Sequence, residues 1–302
     1  MHNWYVKPVH WIVGGVLLAT CVAAEGDQAR MLVDSGLVKK RPQGVSGTRV
    51  KPVHYRPVAK TASAPAADLA DVGITFWRLR PIRPEDDPRT RLLTLDDASG
   101  EEIEQIAERI EAGTPLKPGE RVRLSVEVPR SGFLYVFDRE QFSEGRVGAA
   151  TLIYPNFQTA PGDNAVAAGR LIEIPGRNDR INSFKLVRSG SAHVGEMLVV
   201  LVTPDPLFVP GADARKAPVV EESRLLEWQK KYGSVMEHLE MNGGAGKAMT
   251  VAEIKSGTDT KSVLTQNDPQ PQSIYRVKAK PGEPILIALP LPLAVSADES
   301  RD

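Results

Sequence analysis

The chain has 302 residues, 41% of them apolar and 25% charged, which is the composition of a globular protein and not of a disordered one. Lysine plus arginine equals aspartate plus glutamate, 38 each, so no net field draws in nucleic acid or an anionic membrane surface. The single cysteine, Cys21, excludes an intrachain disulfide, a cysteine-based zinc site and Cys-x-x-Cys redox chemistry.

Residues 11–24 read WIVGGVLLATCVAA, an uncharged run preceded by Lys7. It is shorter than the about 20 apolar residues that span a bilayer and has the length of a signal-peptide core. Val22 and Ala24 stand at the small-residue positions of a cleavage after Ala24, so residues 1–24 are expected to be a signal peptide and the mature protein periplasmic or secreted. Leu18-Ala19-Thr20-Cys21 offers an alternative, a lipobox that would make the protein a membrane-anchored lipoprotein through Cys21. Only through this N-terminal segment is membrane contact expected. Residues 25–70, basic and Pro-containing and then Ala-rich, read as a flexible linker.

A β-sandwich domain is expected over 71–295. Gly73–Arg80 alternates as a strand, and Arg89–Leu95 is a short second one. Ser99 then reads as a helix cap, with Ile103, Ile106, Ala107 and Ile110 forming an apolar stripe and the glutamates a solvated outer face. From Glu120 the period is two: Val122, Leu124, Val126 and Val128 alternate with Arg121, Arg123, Ser125 and Glu127. Phe133–Phe137, Ala149–Tyr154, Leu171–Ile174, Phe184–Val187 and Met197–Val202 follow as short strands bounded by Gly, Pro, Asn or Asp. Leu225, Trp228, Tyr232, Val235 and Leu239 predict one amphipathic helix over 221–241, packed on the sandwich. Strands at Ile274–Lys278 and Pro284–Leu293 close the domain within 273–293, the second apolar on both faces as a central or helix-covered strand is. LKPGE and AKPGE, each before a strand, predict the same turn used twice. The fold class is therefore mainly β, an antiparallel sandwich with one or two peripheral amphipathic helices.

Chemistry is harder to find. His2 and His10 belong to the signal peptide, His54 to the linker, His193 to a Gly-Ser loop and His238 to the later helix; no two have metal-ligand spacing. There is no Gly-x-Ser-x-Gly elbow, and Ser189-Gly190-Ser191 reads as a turn. Asp86-Asp87 and Asp96-Asp97 lack calcium-loop spacing. Gly243–Thr250 imitates a phosphate loop, but Met241 replaces its first glycine, Ala248 its hydroxyl residue, and a helix precedes it where a strand should. No catalytic residue, metal ligand or cofactor is expected.

GERVRLSVEVPRSGFLYVFDRE, LIYPNFQTAPGDNAVAAGRLIEIPG and GEMLVVLVTPDPL, across 120–207, resemble the bacterial domain-of-unknown-function family 4384, with an added Arg139–Gly148 stretch. The resemblance implies a β-sandwich-like module, an accessory part of envelope or signalling proteins, and no activity. In it Gly132 would give a turn its positive φ, Tyr154-Pro155-Asn156 would end a strand, Asn164 and Gly169 would shape a loop and Pro175 would end another strand. The leading expectation is a non-catalytic exported envelope module that binds a protein, peptide or glycan, with Tyr154, Asn156, Phe157 and Gln158 as an exposed contact loop. The alternatives are a hydrolase of an envelope polymer using two carboxylates, or a structural subunit of an envelope assembly.

Overall fold

In the computed structural model the described residues are 31–32, 36–44, 53–60, 68–95, 99–160, 163–207, 219–259 and 261–294. The cleavage position Ala24, the lipobox residue Cys21 and Asp96-Asp97 lie outside them. Along the chain come β1 (Met31–Leu32), α1 (Gly36–Lys39), β2 (His54–Lys60), β3 (Leu69–Pro81), β4 (Arg91–Leu95), β5 (Glu102–Ile110), β6 (Arg121–Glu127) and β7 (Gly132–Phe142). After them come β8 (Ala150–Tyr154), β9 (Ala165–Val166), β10 (Leu171–Ile174), β11 (Phe184–Lys185), β12 (His193–Thr203), β13 (Val219–Val220) and α2 (Glu222–Tyr232). The last are β14 (Val235–Met241), α3 (Val251–Thr258), β15 (Ser273–Lys278) and β16 (Ile285–Pro292). No described helix is long and apolar enough to cross a membrane.

The strands make two antiparallel sheets, the sandwich that the alternation predicts. The first runs β1-β2-β14-β15-β3-β5-β4, with β6 on the other side of β3 and carrying β10 and β11. Its spine is β3, whose 13 residues pair with β15 at one end, β5 at the other and β6 in between. The second runs β13-β8-β7-β12-β16, with β9 beside the start of β7. Ile74, Phe76, Leu124 and Val126 of the first sheet meet Leu134, Val136, Val200 and Ile287 of the second in one buried core. On the far side of the second sheet α2 lays Leu225 and Trp228 over Phe137 and Leu201. The strand β16 lies at that sheet's edge, with Leu286 in the same helix-covered cluster, so the helix-covered reading of its apolar faces is the right one.

LKPGE and AKPGE do form one turn twice. Gly119 and Gly282 have φ of 91° and 84°, the left-handed conformation that a proline-glycine turn of this type requires. In each, the lysine N–H donates to the glutamate side chain, at 2.8 Å from Lys117 to Glu120 and 2.9 Å from Lys280 to Glu283.

Three segments depart from expectation. Residues 99–110 form no helix but the strand β5, which lies between β3 and β4. Every residue from Ile106 to Ile110 is buried, so both faces of the strand are covered. Glu108 accepts from Arg80 Nε at 2.7 Å, while Arg109 pairs with Glu253 and donates to Gln270 O at 2.8 Å. Charges at inward positions masked the period of two. The helix expected over 221–241 stops at Tyr232, where Gly233 N–H closes on Gln229 O, and β14 follows. Within the stretch expected to be a linker, β2 pairs with β14, Leu37 and Tyr55 are fully buried, and Tyr55 donates its hydroxyl to Pro271 O at 2.6 Å.

The edge strand β4 is capped by side chains. Arg177 Nη1 donates to Arg91 O at 3.1 Å, and Asn182 Nδ2 donates to Leu93 O.

Candidate functional site

The strands β8 and β10 each end in a cis X-Pro peptide, Tyr154-Pro155 and Ile174-Pro175, and the two turns brace one another. Asn156 organises the first: its Oδ1 accepts the N–H groups of Gln158 (2.8 Å) and Thr159 (3.0 Å), and its Nδ2 donates to Leu152 O at 3.0 Å. Asp179 ties the turns together by accepting from Ala160 N–H at 2.9 Å and Gly176 N–H at 2.6 Å. Arg180 lies 3.8 Å over the Phe157 ring. The expected contact loop is therefore mostly internal. Tyr154 and Asn156 are buried, Phe157 is half-buried, and of the four only Gln158 is exposed. Replacing Asn156 with alanine should lower stability by about 2–3 kcal/mol, because buried backbone donors lose their acceptor. Denaturant midpoints test this, with Gln158→Ala changing them little.

Gly132 also works differently from its expected role. It does not have a positive φ; a Cβ there would instead overlap Thr203 O of the neighbouring strand, so the glycine permits close approach. Gly169 does adopt φ 75°, and Asn164 Nδ2 donates to Leu134 O at 3.0 Å.

These loops and the end of α3 enclose a cavity of about 300 Å³, lined among others by Tyr154, Asp163, Arg170, Arg177, Asp179 and Thr258. Glu173 lines it, paired behind the wall with Arg123, whose Nη2 also donates to Pro175 O at 2.7 Å. Burial pushes the Glu173 carboxyl above its usual range, against the pull of Arg123 and Arg177. Burial likewise raises Asp179, opposed by the two backbone N–H groups it accepts. The Tyr154 hydroxyl is held protonated by burial, with Asp163 and Asp179 adding to the effect and Arg170 opposing it. Arg177 is committed to Arg91 O and to the Met249 sulfur. Arg170 is not: half-buried, its guanidinium has no hydrogen-bond or ion-pair partner among the described residues, and neither has the Tyr154 hydroxyl. The cavity thus offers two uncommitted donor groups and two carboxylates at short range, a set that can hold an anionic or polyhydroxyl group.

The remaining sequence candidates lie elsewhere. His193 is fully buried and not on a surface loop, and His238 sits on β14, stacked on Tyr275 with ring centroids 4.3 Å apart. His54 opens β2. Asp86 forms two 2.7 Å bonds with Arg80, and Asp87 caps the following turn through Arg89 N–H. Gly243–Thr250 follows a strand and not a helix, and leads into α3 through a capping box of Thr250 and Glu253. The sequence pattern passed over α3 altogether, although Thr250-x-x-Glu253 is the signal for its start. Compared with known proteins, the chain matches no family model, no curated protein and no solved structure.

Proposed function

We propose that the chain is a non-catalytic exported binding module whose loop-lined cavity takes an anionic group of an envelope glycan or peptide. The observation that carries this reading is the pairing, in one cavity, of the Arg170 guanidinium and the Tyr154 hydroxyl, both without partners among the described residues. A half-buried arginine left without an acceptor is a ready partner for a carboxylate, and a charge-assisted hydrogen bond of this kind contributes about 1.5–3 kcal/mol. Asp163 and Asp179 lie near enough to accept from ligand hydroxyl or amide groups. The residues that line the cavity include Tyr154 of the Tyr-Pro-Asn turn and several of the loop up to the Ile-Pro motif, stretches on which the resemblance to family 4384 rests.

A matched pair of sugars tests it. N-acetylmuramic acid carries a carboxylate that N-acetylglucosamine lacks, so calorimetric titration should give about tenfold tighter binding of the acid. Arg170→Ala should remove that preference and move the denaturation midpoint little, since the Arg170 guanidinium makes no hydrogen bond or ion pair to another described residue. Equal affinity for both sugars, or a preference that survives Arg170→Ala, would end the glycan reading. An amidated and a free-acid peptide then provide the same contrast for a peptide ligand.

A further inference from the structure

The inner face of the second sheet carries a second group of functional side chains. Along β7 the inward positions are Leu134, Val136 and then Asp138; along β12 they are Val202, Val200, Leu198 and then Glu196. Two carboxyl groups thus stand where the pattern of the core calls for hydrocarbon. They stand diagonally across adjacent strands, Asp138 opposite Leu198 and Glu196 opposite Glu140, and Glu196, 9% exposed, lies 3.3 Å from His193 Nε2. His193 Nδ1 accepts from Ser189 N–H at 3.2 Å, so the proton of the neutral ring is on Nε2 and is shared between Gly195 O (2.9 Å) and Glu196. Glu140, across from Glu196, adds a like charge. Asp138 Oδ1 and Glu196 Oε2 are both buried and have no hydrogen-bond partner. Asp138 and Glu196 line a cleft of about 210 Å³ between the sheets, whose other walls include Phe76, Leu124, Ile153, Ile174 and Leu198. Lys185 and Arg123 line it too, the first solvent-exposed and the second paired with Glu173. Apolar cavities of about 150 Å³ accept a benzene-sized ring, so this one has room for a ring and a short polar head.

We propose that this cleft is a second binding site, for a small apolar molecule bearing a protonated primary amine, with the ammonium against Asp138 and Glu196 and the hydrocarbon between Phe76, Leu124, Ile153 and Leu198. An ammonium group supplies three donors to the orphaned carboxylate oxygens and offsets their mutual repulsion, while the hydrocarbon fills the apolar space. A neutral molecule of the same shape gains only the second of these.

Benzylammonium and benzyl alcohol, of equal size, are the test pair, titrated at pH 7 with the full chain under calorimetric or NMR detection. The expected result is binding of benzylammonium at least tenfold tighter than of benzyl alcohol, with the gap closing to under twofold in the Asp138→Asn/Glu196→Gln variant. Glu196→Gln alone, which keeps the shape and a hydrogen bond, should narrow the gap if the double variant does not fold. For the wild type, acidification to pH 4.5 should narrow it as well, by neutralising the pair. Equal binding of the two by the wild type, binding of neither, or a gap unchanged in the variants would overturn the proposal.

Discussion

Replacing Arg41 with alanine is expected to destabilise the fold by about 3–5 kcal/mol, a large fraction of the about 5–15 kcal/mol by which domains are stable. The Arg41 side chain is fully buried, donates from Nε to Glu127 at 3.0 Å and from Nη2 to the other Glu127 oxygen, and also reaches the carbonyls of Thr265, Asp268 and Pro269. Removing it leaves Glu127, 1% exposed, without its partner, and leaves the carbonyls of Thr265, Asp268 and Pro269 without their donor. A double change to apolar residues, Arg41→Met with Glu127→Leu, should recover most of the loss, because the penalty arises from one uncompensated charge and not from the absence of the pair. Urea denaturation of the two variants measures both effects. A loss below about 1 kcal/mol for Arg41→Ala would mean that residues 36–44 are not docked on the sheet in solution.

Stability should also fall as pH rises from about 4.5 to about 8. Burial, then repulsion by Asp138 and Glu140, pushes Glu196 up to about 8, and burial pushes Asp138 up to about 6. Unfolded glutamate and aspartate lose their protons near their ordinary values of 4.5 and 3.8. Between those values and the folded ones the native state binds more protons than the unfolded state. Stability contributed by the pair is therefore full at the acid end and is lost as pH rises through the window. Asp86 behaves oppositely: Arg80 holds it down to about 2, so its contribution is lost only as pH falls below the ordinary range. Unfolding free energies at pH 5 and pH 8 measure the slope, and Asp138→Asn/Glu196→Gln should flatten it. A wild type equally stable at both would contradict the buried pair.

Where apolar residues recur at every second position, the sequence was readable. In β6 Val122, Leu124 and Val126 keep the period although Arg123, Ser125 and Glu127 between them are buried as well, and β10 matched residue for residue. Where buried charge replaced the apolar residues themselves, reading failed. Glu108 and Arg109 are core residues only because Arg80, Glu253 and Gln270 meet them from 28, 144 and 161 residues away, so no local window reveals β5 as a strand. Arg41 looked like linker for the same reason, its partner Glu127 being 86 residues distant. The carboxyl pair was nearer to view. Asp138 continues the inward series of Leu134 and Val136, and Glu196 that of Val200 and Leu198, but apolar runs end at Phe137 and begin at Met197. A strand that continues past its last hydrophobe is invisible to a pattern that counts hydrophobes. The loop cavity depends on the meeting of two turns and a helix that Asp179 and the fold bring together, and only its Tyr154-Pro155-Asn156 and Ile174-Pro175 corners were marked in advance.

The side chains that cap β4 bear on how copies of this chain behave toward each other. A strand from a second copy could extend the first sheet at that edge only by displacing Arg177 from Arg91 O and Asn182 from Leu93 O. Arg177 is at the same time a wall of the loop cavity and a neighbour of Glu173. One residue thus guards against edge-to-edge polymerisation and shapes the binding cavity, so a substitution that retunes the cavity at this position would also open the sheet to its neighbours at high concentration.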